Sequence, residues 1–137
     1  MAELTKLILP SLFGIIIGAA LQWVITRKLE LNREHRKLQS EAYYDFLKGV
    51  AGSAMQQNEE KLIEHYMLVA NAKSRIALYG SEQAVKALAN FCHNTDQCLG
   101  NPDTQKEYAN LCLYMRKDSL GEKQLASVED FIKIFFS

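Results

Sequence analysis

From Leu7 to Thr26 the chain reads LILPSLFGIIIGAALQWVIT, mostly apolar and without a charged residue. At about 1.5 Å per residue such a run makes a helix of roughly 30 Å, which matches the hydrocarbon core of a bilayer. It predicts a transmembrane helix. A cleaved signal peptide would place Gly18 and Ala20 at its small-residue positions, yet the apolar run continues to Ile25 and only Lys6 precedes it. A buried core helix would normally be shorter and would carry some charge.

No helix breaker follows Thr26, so the pattern predicts that the same helix runs on. Residues 27–37 are polar nearly all round and predict a stalk. From Leu38 the apolar positions Ala42, Tyr43, Phe46, Leu47, Val50 and Ala54 recur at three- and four-residue spacing, as on one face of a helix. Gly49 and Gly52 weaken that helix, and a turn is expected over 56–59.

A second helix is predicted over 59–79, with Leu62, Ile63, Tyr66, Val69, Ala70, Ile76 and Ala77 as its apolar face. Gly80 is suited to a left-handed helix end and Ser81 to capping the next start. The third helix, about 82–95, should bury Val85, Leu88, Ala89 and Cys92. Asn101 followed by Pro102 opens a fourth, to about residue 118, with Tyr108, Leu111, Cys112 and Met115 inward. Ser127 and Asp130 resemble a capping box ahead of a short, strongly apolar helix through Phe131, Ile132, Phe135 and Phe136. Its face could be covered by the bundle, by a neighbouring subunit or by a membrane surface. Short connections favour antiparallel neighbours. The expected fold is therefore all-α: an N-terminal transmembrane helix (1–26), a juxtamembrane stalk (27–37), and a cytosolic four- to five-helix bundle (38–137).

Charge sets the orientation. The net charge is zero over 137 residues, but the basic residues Arg27, Lys28, Arg33, Arg36 and Lys37 cluster after the apolar stretch, while 38–137 carries a net −3. Basic flanks stay on the cytoplasmic side, which puts the N-terminus outside and the C-terminal domain in the cytoplasm. The cluster suits anionic lipid headgroups. No basic excess suggests binding to a DNA or RNA duplex. Within the apolar stretch, Ser11, Gly14, Gly18 and Gln22 share one face. GxxxG spacing allows close helix approach and Gln22 offers a hydrogen bond across it, so a homo-oligomer is expected.

Catalytic signatures such as HExxH, GxSxG and the phosphate-binding glycine loops are absent, so the reading is non-enzymatic and needs no cofactor. His35, His65 and His93 fall on different predicted helices. The three cysteines, Cys92, Cys98 and Cys112, include no CxxC pair; with His93 they fit no usual zinc spacing. One candidate anion site stands out. Lys73, Arg75 and Tyr79 precede the Ser81 helix start, and Arg116 and Lys117 end the fourth helix; helix N-termini and guanidinium groups both attract anions. The same residues also make ordinary caps and dipole partners.

The runs SRIALYGSEQAVKAL (Ser74–Leu88) and LYMRKDSLG (Leu113–Gly121) resemble a diffuse set of small bacterial single-pass membrane proteins with a cytosolic helical domain. The layout is also similar to membrane effectors of phage defence, including type III CRISPR accessory proteins that sense cyclic oligoadenylate. The resemblance implies a bacterial origin and this fold, and with the apolar span it makes an inner-membrane location the expectation. Two functions follow as expectations: a self-associating scaffold that holds a protein partner at the membrane, or an oligomeric effector gated by a cyclic nucleotide bound to the cytosolic domain.

Overall fold

The computed structural model describes residues 2–94, 100–121 and 126–136, with side chains over 14–93, 100–121 and 126–136. Among these the chain is helical and holds no strand. The elements are α1 (Ala2–Met55), α2 (Glu59–Tyr79), α3 (Glu82–Asn94), α4 (Pro102–Leu120) and α5 (Val128–Phe136). The chain divides into two units, Met1–His35 and Arg36–Ser137.

In the first unit, every described side chain of α1 from Gly14 to His35 is exposed. The large apolar ones between Ile15 and Ile25 are each more than half exposed, from 55% at Val24 to 68% at Ile15. Arg27 lies over the Trp23 ring, 5.2 Å from its centroid. Among the described residues, no helix is long and apolar enough to cross a membrane. Side chains 7–13, which begin the Leu7–Thr26 stretch, and with them Ser11, lie outside the described residues.

The second unit is a helical bundle. Phe46 (α1), Ile76 (α2) and Leu111 (α4) are its largest fully buried side chains. Phe91 of α3 meets Phe46 edge-on at 6.3 Å and Tyr108 of α4 at 5.6 Å. Local chemistry fixes the helix ends. Asn58 caps α2 by accepting from the Glu60 N–H (3.0 Å), and Asn101 caps α4 by accepting from the Asp103 N–H (3.0 Å) with Pro102 in the first turn. These side chains satisfy donors that a helix start leaves orphaned. Gly121 ends α4 at φ 82°, a conformation that costs glycine little. Ser127 and Asp130 exchange the two bonds of a capping box: the Ser127 N–H donates to Asp130 Oδ2 (2.9 Å) and the Asp130 N–H to Ser127 Oγ (3.3 Å). α5 packs on α4, with Phe131 buried and Val128, Ile132 and Phe136 half-buried.

Three expectations need correction. On α2 only Ala72 and Ile76 are buried, and Leu62 and Val69 are half-buried, whereas Ile63, Tyr66, Ala70 and Ala77 face solvent. The cause lies on α1. A Cβ on Gly49 would stand 2.6 Å from Val69 Cγ2, and one on Gly52 2.2 Å from the His65 ring. These glycines therefore do more than weaken α1: they make the shallow surface against which the Val69 side of α2 settles. On α3 the core takes Ala84, Ala87, Leu88 and Phe91, while Ala89 and Cys92 are exposed; the bulky Phe91 ring takes the inward place. Finally, Gly80 is extended (φ −70°, ψ 156°) rather than left-handed. Its glycine is a matter of space, since a Cβ there would come 2.5 Å from the Ile76 carbonyl oxygen.

Candidate functional site

Four of the six bundle residues nominated as an anion site already make contacts within the fold. Arg75 projects from α2 toward α1, donating from Nη1 to Asp45 Oδ2 (2.7 Å) and from Nη2 to Glu41 Oε2 (3.3 Å). Two carboxylates therefore balance this guanidinium and would repel an incoming anion. Ser81 Oγ accepts from the Ala84 N–H (3.2 Å) and so caps α3. On α4, Lys117 Nζ lies 5.5 Å from the Tyr114 ring centroid, and Arg116 Cζ lies 6.0 Å from that of Phe131 on α5. Lys73 and Tyr79 are half-buried on α2.

Beside the Gly80–Ser81 turn the structure assembles a polar cluster that the sequence pattern conceals. Tyr43 of α1 is 3% exposed. Its hydroxyl donates to Asp118 Oδ2 of α4 and accepts from Gln39 Nε2 (3.2 Å), which also reaches Asp118 Oδ2 (3.4 Å). A Cβ on Gly80 would meet the same hydroxyl at 3.4 Å. Burial pushes the Tyr43 phenol well above its ordinary range. The hydrogen bond to Asp118 and the charge of that carboxylate add to the rise, against weaker pulls from the Ser81 main chain and Gln39. The phenol stays protonated and acts as a donor that ties α1 to α4. Tyr43 reads as one more apolar position in a helical stripe. Gln39, one turn before it on the buried face, is the signal that a polar partner waits inside.

A cleft of about 300 Å³ opens between α3 and α4. Gln83, Lys86 and Asn90 line one wall and Glu107, Asn110 and Tyr114 the other, with Ala87 between them. Three carboxamides supply neutral donors and acceptors there, and Lys86 Nζ is held by Glu82 Oε1 at 2.5 Å.

The described cysteines differ in burial. Cys112 is buried, and burial lifts its thiol to about 12, against an opposing hydrogen bond from Tyr108. Cys92 is exposed; Cys98 lies outside the described residues. Among the described residues no group of three or more His, Cys, Asp or Glu side chains is placed to hold a metal ion.

Comparison with protein-family models, with curated proteins and with solved structures gives no match to this chain.

Proposed function

We propose that the protein is a membrane-anchored, self-associating helical module that holds a partner at the cytoplasmic face of a bacterial inner membrane. The observation that carries the reading is the uncharged stretch Leu7–Thr26, in which every described side chain from Gly14 onward is exposed. An uncharged, mostly apolar helix with this much exposed apolar surface needs an apolar surrounding, and a bilayer supplies it along the whole length. The basic residues 27–37 then meet headgroup phosphates.

Self-association draws on Gly14, Gly18 and Gln22. Among the described residues, a Cβ on Gly14 or Gly18 would meet nothing within 4 Å, so no contact described there requires glycine. Glycine inside a helix costs about 1 kcal/mol relative to alanine. Close approach by another helix in lipid offsets that cost.

The test is flotation with lipid vesicles, followed by sizing in detergent. The full chain should float and stay bound through alkaline carbonate washing, and Gly14→Ile with Gly18→Ile should reduce the oligomer. A chain that stays with the soluble fraction sinks the anchor; an oligomer unchanged by both substitutions sinks the glycine seam.

One observation favours a second reading, the nucleotide-gated membrane effector: the carboxamide-lined α3–α4 cleft. Calorimetric titration of the detergent-solubilised chain with cyclic oligoadenylates decides it, and absence of heat removes it.

A further inference from the structure

The outer face of α2 carries more apolar surface than a solvated helix needs. Ile63 (59% exposed), Met67 (68%), Ala70, Ser74 and Ala77 follow one another at alternating four- and three-residue steps. Tyr66 (52%) and Leu78 (73%) flank them. At 100° per residue the seven positions fill an arc of about 120°, the width of stripe by which a helix normally faces a core. No charged residue falls within that arc from Ile63 to Leu78. The opposite side of α2 is apolar as well and packs inward through Val69, Ala72 and Ile76. A helix apolar on two faces is built to lie between two layers, and the bundle provides one.

We infer that the second layer is another copy of this chain, joined through α2 about a two-fold axis with Ala70 at the crossing. Three features select a second copy. Four-three spacing is the pattern by which helices interlock with helices of the same kind. Isologous pairing sets one patch against the same patch of the other copy, and a charge-free arc can do this without like-charge repulsion. The small residues Ala70, Ser74 and Ala77 let the backbones approach.

Area then says where the copies meet. One helix stripe of this length supplies roughly half of the ~800 Å² per partner found in standard stable interfaces. Such a contact is weak between molecules that meet in bulk solution. It suffices between chains already held in one membrane, where effective concentrations are on the order of millimolar. The inference thus deepens the membrane-anchored, self-associating reading and rests on it for that concentration.

Cross-linking of the full chain in phosphatidylethanolamine–phosphatidylglycerol vesicles tests the contact. Ala70→Cys is introduced with Cys92→Ser and Cys98→Ser, and Lys61→Cys, exposed on another side of α2, serves as the control. Flotation is read on the same samples. On mild oxidation Ala70→Cys should give about tenfold more disulfide dimer than Lys61→Cys, since the seam raises the local thiol concentration. Adding Met67→Glu should abolish the excess while the helical circular dichroism is kept. If the chain floats and Ala70→Cys gives no more dimer than Lys61→Cys, the α2 interface is overturned and the anchor stands. If the chain fails to float, the anchor is overturned, and selective Ala70→Cys dimers would still establish the seam.

Discussion

The hydroxyl of Tyr43 on α1 donates its hydrogen bond to the carboxylate of Asp118 near the end of α4, seventy-five residues away. Gln39 donates to both, so three polar side chains share one mostly buried cluster. Breaking it leaves a carboxylate short of a donor in a partly desolvated place. Tyr43→Phe should therefore cost about 1–3 kcal/mol in urea unfolding. Asp118→Ala should cost a similar amount, and the double variant should cost less than the sum, because the two residues serve one contact. Additive losses would show that the bond contributes nothing of its own.

Tyrosine ionisation should report the same cluster. Burial raises both Tyr43 and Tyr108 far above the ordinary 10.0. At Tyr43 the Asp118 bond and charge reinforce the rise, and at Tyr108 the neighbouring Cys112 does. A raised pKa means that the folded state favours the protonated phenol. That stability is complete below pH 10 and is lost as pH climbs toward the folded value. Absorbance titration at the phenolate band should show two of the six tyrosines silent past pH 11, ionising together with unfolding. Six tyrosines titrating smoothly near pH 10 would contradict the buried placement.

The helices were largely legible because local signals coincide at their ends: Tyr79 before Gly80, Asn101 before Pro102, Ser127 before Asp130. The α4 face was legible too, since Tyr108, Leu111, Cys112 and Met115 form the single apolar stripe of a charged helix. α2 was not, because it has two apolar faces and periodicity cannot say which one the bundle takes. The choice is made by Gly49 and Gly52, whose missing side chains shape a surface on α1 that only the fold reveals. The Tyr43 cluster was hidden for a related reason: an amphipathic residue counts as apolar in a stripe, while its hydroxyl needs a partner far away in sequence. The partners of Arg75 were hidden because Glu41 and Asp45 lie some thirty residues earlier.

Gly49 and Gly52 of α1 should respond differently to alanine. Gly→Ala inside a helix contributes about 1 kcal/mol of stability when nothing is in the way. At Gly52 the obstacle is the His65 ring, the far end of a side chain that can swing outward, so Gly52→Ala should be near neutral. At Gly49 the new methyl meets Val69 Cγ2 and crowds the His65 carbonyl oxygen and the Val69 nitrogen, each at 3.2 Å. Backbone there must shift, and Gly49→Ala should destabilise by about 1–3 kcal/mol. Combining Gly52→Ala with His65→Ala should recover the helix gain relative to His65→Ala alone. Equal effects at the two glycines would contradict the tight Gly49–Val69 contact.

α5 depends on one ring. With nine residues it is too short to persist as an isolated helix, and its capping box fixes where it starts rather than whether it stays. Phe131 is its one buried side chain, stacked at 6.1 Å with Phe135 and with Arg116 lying over its face. Phe131→Ala should remove about 3–4 kcal/mol of packing, a large share of the stability of a domain this size. The loss should appear as undocking of α5 before global unfolding: rapid amide exchange and proteolytic cutting across 128–136, with α3 and α4 still protected. Phe135, partly exposed, also touches Tyr108 at 5.6 Å, so Phe135→Ala should loosen α5 less. A Phe131→Ala chain that retains slow exchange in α5 would show that Ile132 and Phe136 hold the helix without it.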